Sequence, residues 1–200
     1  MTEAAAMPLP WPDAAVVESD TLAEQIAAFE RLTPARPLVL GGCCCAHVGA
    51  VRELARRHGS IGIVWIDAHG DLNTPESSPS GNAWGMPLRM LIDAGDVAPE
   101  DVTLLGARNL DEPEEAFVAE AGIRTELGPL RERVYVAVDC DAVAPGELDV
   151  FMPEPGGFIL DELERLLASI PTPAGAGFTG LVRSARNEEL LPRLGHALGL

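Results

Sequence analysis

Gly62-Ile63-Val64-Trp65-Ile66-Asp67-Ala68-His69-Gly70-Asp71 is an apolar run that stops at two carboxylates and an imidazole. An unbroken apolar run of this length predicts a strand buried on both faces, as in a parallel sheet. The charges then fall at its C-terminal end, where open α/β sheets place their ligands. In such a sheet Asp67, His69 and Asp71 sit at i, i+2 and i+4, so their side chains point the same way and three metal-ligand types converge on one point.

Outward from that strand, the pattern repeats. Short apolar strands are predicted over 38–40, 102–106, 134–138 and 177–182, with a short edge strand starting at Ile123. Helical periodicity covers 21–32, 48–58, 87–94, 113–121, 160–168 and 187–198. Strands alternating with helices argue for a mostly parallel sheet covered on both faces. The Pro/Ser/Gly-rich loop over 72–85 has the composition of an active-site loop. Residues 1–20, rich in Ala and Pro, read as a loose lead-in to a single domain spanning 1–200.

Composition narrows the partners. The 200 residues are 47% hydrophobic, enough for one sizeable core. Acidic residues number 31 against 14 basic ones, all arginine, for a net charge of -17. Such a surface repels nucleic acid and anionic membranes, so neither is an expected partner. It suits cationic substrates or metal ions, and equally serves plain solubility. No stretch approaches the roughly 18 apolar residues of a membrane span, and the start lacks the features of a signal peptide, so a cytoplasmic location is expected. Three of the four cysteines are consecutive, Cys43 to Cys45, and the fourth is Cys140. Adjacent cysteines bridge only with backbone strain, so reduced thiols are expected rather than a disulfide framework.

Asp139-Cys140-Asp141 ends a second apolar strand just as Asp67-Ala68-His69-Gly70-Asp71 ends the first. Each motif alone is also compatible with caps and turns. Together they put four carboxylates at strand ends with no lysine or arginine inside either motif, and like charges packed together need a compensating partner. A divalent cation supplies it. One imidazole and four carboxylates suit Mn²⁺ or another borderline divalent ion, and because carboxylates bridge, the set accommodates one ion or two.

These residues carry a resemblance. Val64 to Pro75, followed by Ser80-Gly81-Asn82, resembles the second metal motif and substrate loop of the arginase/agmatinase (ureohydrolase) family. Val136 to Asp141, Pro145 and Pro153-Glu154-Pro155-Gly156-Gly157 resemble its later Asp-x-Asp motif and Pro-Gly-Gly stretch, and Leu105-Gly106-Ala107-Arg108 and Glu189 to Leu194 also fit. The resemblance implies a three-layer α/β/α sandwich, usually a homo-oligomer, with a two-manganese centre. That centre turns water into a hydroxide that attacks the carbon of a small guanidino, amidine or amide substrate. It further implies that Asp67 and Asp139 bridge the metals, that His69 and Asp141 bind one of them, and that Asp71 binds the other and orients the hydroxide. Asp71 and Asp139 are thereby the catalytic candidates, with Asn73, Ser80 and Asn82 on the substrate.

The chain also departs from the family. Where the family has Gly-Gly-Asp-His-Ser, this chain reads Gly41-Gly42-Cys43-Cys44-Cys45, so Cys44 stands at the ligand histidine. A thiolate prefers Zn²⁺, Fe²⁺ or Co²⁺ to Mn²⁺, and Ni²⁺ joins the candidates. His47 is a ligand if the turn is rebuilt and a packed helix residue otherwise. Trp84 replaces a proton-shuttling histidine, and indole does not titrate, leaving an aromatic wall for a cationic substrate. Where the family places a guanidinium-binding glutamate, Arg183 and Arg186 occur instead, which argues against arginine as substrate. A single-metal centre would resemble that of the distantly related zinc deacetylases. The stretch before Gly41 is shorter than the family's, so a pocket that is more open, or is completed by a neighbouring subunit, is expected. Two readings follow: a hydrolase of a non-peptide C–N bond, or a non-catalytic relative that keeps the fold and one metal in a regulatory or assembly role.

Overall fold

The computed structural model describes residues 7–200. Six helices and five strands alternate: α1 (Leu22–Leu32), β1 (Leu38–Leu40), α2 (Ala46–His58), β2 (Gly62–Ile66), α3 (Pro87–Asp93), β3 (Val102–Leu105), α4 (Glu112–Ala121), β4 (Val134–Asp139), α5 (Leu160–Ser169), β5 (Gly175–Thr179) and α6 (Ala185–Ala197). The strands form one sheet in the order β1-β5-β4-β2-β3, and every pairing is parallel.

Strand alternation divides the core in two. Val64, Ile66, Val136, Val138 and Phe178 point to one face, where they pack with Leu163 and Leu167 of α5 and Leu191 and Leu194 of α6. Ile63, Trp65, Tyr135 and Ala137 point to the other, against Val48, Val51 and Leu54 of α2 and Leu88 and Leu91 of α3. The result is the expected three-layer α/β/α sandwich. Because both faces are covered, β2 is buried at all five positions, which is why its sequence runs apolar rather than alternating.

The topology fixes where a site forms. From β4 the chain moves through α5 to β5 on one side, and from β2 it moves through α3 to β3 on the other. The neighbouring strands β4 and β2 are therefore the switch point at which successive crossovers diverge, the place where open α/β sheets bind their ligands at the C-terminal strand ends. Asp139 closes β4, and Asp67 follows β2 directly.

Two sequence expectations are corrected. No strand starts at Ile123; a single parallel bridge between Thr103 and Arg124 stands in its place. The last strand runs over Gly175–Thr179 rather than 177–182. A side chain at Gly177 would collide with the His47 ring and the Tyr135 hydroxyl, so glycine in this strand permits a close approach. The expected lead-in over 1–20 lies partly outside the described residues; from residue 7 to residue 20 there is no helix or strand, although Met7 is buried in the core.

Candidate metal centre

β2 ends at Ile66, so Asp67, His69 and Asp71 lie in a loop and strand alternation does not bring them together. The loop converges by folding on itself. Asp67 caps it, accepting from the backbone N–H of His69 through Oδ1 (2.8 Å) and from Trp65 Nε1 through Oδ2 (3.1 Å). Asp71 adopts φ 53, the left-handed region that non-glycine residues rarely occupy. Glu114 of α4 accepts from the Leu72 N–H (2.9 Å) while capping its own helix through the Asp111 N–H (2.9 Å), which pins the loop from outside.

The β4 end is built alike. Asp139 Oδ1 accepts from the N–H of Asp141 (3.0 Å), and Asp141 Oδ1 accepts from the N–H of Ala68 (3.1 Å), tying the two motifs together. Arg108 donates to the carbonyls of Asp141, Glu154 and Pro155 and fastens the downstream loop beneath them.

Two constellations result. Asp67, His69 and Asp141 offer ligand atoms all within 4.8 Å of one another, and so do Cys44, Asp67 and Asp71. Asp67 belongs to both. Asp139 joins through Cys44, whose Sγ lies 2.8 Å from its Oδ2. His69 Nδ1 is 3.1 Å from Asp141 Oδ2 and 3.4 Å from Asp67 Oδ1, while its Nε2 is 3.4 Å from Glu154 Oε1. Hydrogen bonds from His69 to Asp141 and Asp67 raise the imidazole's pKa to about 11. Burial, reinforced by neighbouring carboxylates, raises Asp71 and Asp139 well above the usual carboxylate range and raises Asp67 in the same direction. Burial likewise raises Cys44.

Buried carboxylates that repel one another and leave an acceptor unpaired are the residue set a divalent ion fits. Asp71 Oδ2 is buried without a hydrogen-bond partner, a costly arrangement for a lone polar atom. The donor set of one imidazole, one thiol and four carboxylates matches borderline divalent ions.

The other predicted residues sit differently. Asn73 is buried, but its amide donates to Asp111 Oδ2 (2.8 Å) and accepts from Ser77 (2.8 Å), so it braces the loop. Ser80 and Asn82 lie in the loop over 72–85, where Ser80 Oγ accepts from the Asn82 N–H (3.2 Å). Trp84 is exposed on a 3₁₀ turn over 83–85, and the Ala83 carbonyl of that turn lies 3.4 Å from Cys45 Sγ. His47 is fully buried behind the cluster, with Nδ1 3.0 Å from the Tyr135 hydroxyl and Nε2 3.2 Å from Thr179 Oγ1. Burial lowers its pKa to about 3, which leaves it neutral. Arg183 pairs with Glu188, and Arg186 pairs with Asp149 and the Gly146 carbonyl. Both arginines are engaged with their own partners. Sequence reading assigned no role to Glu154, Glu114 or Arg108; each acts from a remote segment, and only Glu154 and Arg108, inside motifs already quoted, left a trace.

The Arginase family's sequence model matches residues 5–127. The chain belongs to the arginase family. Arginase of Bacillus subtilis (strain 168) is 31% identical over 192 residues, covering 80% of this chain and 63% of the relative. Arginase of Staphylococcus aureus (strain COL) is 43% identical over 99 residues, covering 44% of this chain and 33% of its own length. The chain thus spans between a third and two thirds of these curated relatives. The crystal structure of arginase from Bacillus subtilis superimposes with a TM-score of 0.80 at 27% identity, covering 88% of this chain and 77% of that one. This arginase-family chain has no helix among its described residues long and apolar enough to cross a membrane.

Proposed function

We propose that this chain is a metal-dependent hydrolase of a non-peptide C–N bond in a small guanidino, amidine or amide compound. The observation that carries the reading is the pair of ligand constellations sharing Asp67, with the buried, unpartnered Asp71 Oδ2 beside them. His69, Asp67, Asp141 and Asp139 would hold one divalent ion, of which Mn²⁺ is the family's choice. When bound, such an ion makes water acidic enough to serve as a nucleophile near neutral pH.

The chain's own residues supply the rest. Trp65 Nε1–H and the His69 N–H hold both oxygens of Asp67 in fixed directions, so little reorganisation is needed at the reacting centre. Asp71, in its constrained backbone conformation, would accept a proton from the attacking water and return it to the leaving nitrogen. Trp84 offers an exposed aromatic face to a cationic group. Ser80 and Asn82 contribute polar atoms from the same loop, and Asn73 keeps that loop in place. A cytoplasmic homo-oligomer acting on a small molecule, without nucleic acid or membrane, completes the proposal.

The test is a panel of guanidino, amidine and amide compounds, arginine and agmatine included, assayed for urea or ammonia release after loading with Mn²⁺, Co²⁺, Ni²⁺ or Zn²⁺. Turnover on at least one compound is expected. Asp139→Asn should lower it by more than the roughly 10–100-fold that loss of an outer hydrogen bond costs a metal site. Full metal occupancy without turnover on any compound would leave the non-catalytic reading.

A further inference from the structure

The cluster is not uniform in its ligand chemistry. On one side of Asp67 stand an imidazole and Asp141; on the other stand a thiol and Asp71. Cys44 is buried at the turn between β1 and α2, with Sγ 2.8 Å from Asp139 Oδ2, 3.6 Å from Asp67 Oδ2 and 3.1 Å from Thr179 Oγ1. Sulfur therefore faces Asp67, the carboxylate that the two halves share, and Asp139 beside it. The independent sign of a ligand on this side is Asp71, which is 4% exposed and whose Oδ2 has no hydrogen-bond partner. His47 does not compete for the place, because both its ring nitrogens are engaged by Tyr135 and Thr179.

We propose that the Cys44 half of the centre is a thiolate site, formed with Asp67, Asp71 and Asp139, that takes a thiophilic divalent ion such as Zn²⁺, Co²⁺ or Fe²⁺, while the His69 half keeps the preference of an N/O site. The inference rests on the metal-dependent reading above. Soft sulfur ligands select these ions over Mn²⁺. On binding, the Cys44 S–H bond gives its proton to solvent as the sulfur–metal bond forms. A centre of two unlike halves follows, with metal choice set by one side chain rather than by the whole cage.

The test is optical and needs no substrate. Loading the full chain with Co²⁺ should give a thiolate-to-cobalt charge-transfer band in the near ultraviolet. The band should vanish in Cys44→Ser, checked for native circular dichroism, and persist in Cys43→Ser, Cys45→Ser and Cys140→Ser. In parallel, Cys44→His should raise the Mn²⁺ bound at equilibrium dialysis relative to Zn²⁺ by about tenfold or more, as borderline nitrogen replaces soft sulfur. Co²⁺ bound without the band, or a band that survives Cys44→Ser, overturns this inference and leaves the metal-dependent reading standing. Failure to bind Co²⁺ or any other divalent ion overturns both.

Discussion

Trp65 shows how one residue serves two ends. Its ring fills the helical layer of α2 and α3, fully buried, while its Nε1–H reaches forward to Asp67 Oδ2. Trp65→Phe keeps most of the buried ring and removes the donor. Metal affinity should fall by about 10–100-fold with the far-ultraviolet spectrum unchanged; an unaltered titration would show that Asp67 needs no such brace. The ligand-type residues themselves were legible in the sequence, because acids that end an apolar strand have few bland explanations once they occur twice. The reason they meet was not. Alternation along a continuing strand was expected, whereas the strand stops at Ile66 and the left-handed turn at Asp71 does the work. Glu114 was invisible for a different cause: its contact with Leu72 spans distant sequence, and an acid in the first turn of a helix ordinarily reads as a cap alone.

Among the elements, α2 carries the most concentrated charge contacts. Glu53 is 7% exposed and accepts from Arg56 Nε (2.6 Å) and Arg57 Nε (2.6 Å), one and the same acid serving i+3 and i+4. Arg57 continues to the carbonyls of Thr33 and Pro34, so the pair ties α2 to the end of α1. The arginines lower the Glu53 pKa to about 2. A depressed carboxyl pKa adds stability that is complete above the unfolded value near 4.5 and is lost as pH falls toward 2. Glu53→Gln should therefore cost about 1–2 kcal/mol at pH 7 and flatten the decline of melting temperature between pH 4.5 and 2. An identical acid limb in both proteins would count against the pairing. The elements also show where sequence periodicity misleads. The strand expected over 177–182 begins two residues earlier, because glycine at 175 lowers β-propensity in the sequence while in β5 it lets Pro37 and Leu54 approach, as Gly177 does His47 and Tyr135.

At the scale of the whole molecule, the sandwich is closed by contacts between its ends. Met7 lies in the core layer of α5 and α6, and a Cβ added at Gly195 of α6 would collide with the Trp11 indole. Arg36 donates to the carbonyls of Pro173, Leu198 and Gly199, fastening the C-terminal turn to the entry of β1. Gly195→Ala should thus displace Trp11 and cost about 1–3 kcal/mol, the usual penalty of overpacking. For a domain of this size that is a fall in melting temperature of about 2–4 °C per kcal/mol. A melting temperature unchanged or raised would mean that the indole docks elsewhere. The parallel architecture was legible from helix–strand alternation, since parallel strands require crossovers. The strand order was not, because nothing local records that β4 inserts between β5 and β2.

That insertion has a mechanical consequence. β2 and β4 are neighbours in the sheet, and the acids at their tips come from parts of the chain joined only through two helices and a further strand. An ion held by both tips is a reversible cross-link across the middle of the sheet. Its binding energy would enter the unfolding equilibrium directly, so occupancy and resistance to unfolding would become one quantity, and a thermal melt of this chain would double as its metal assay.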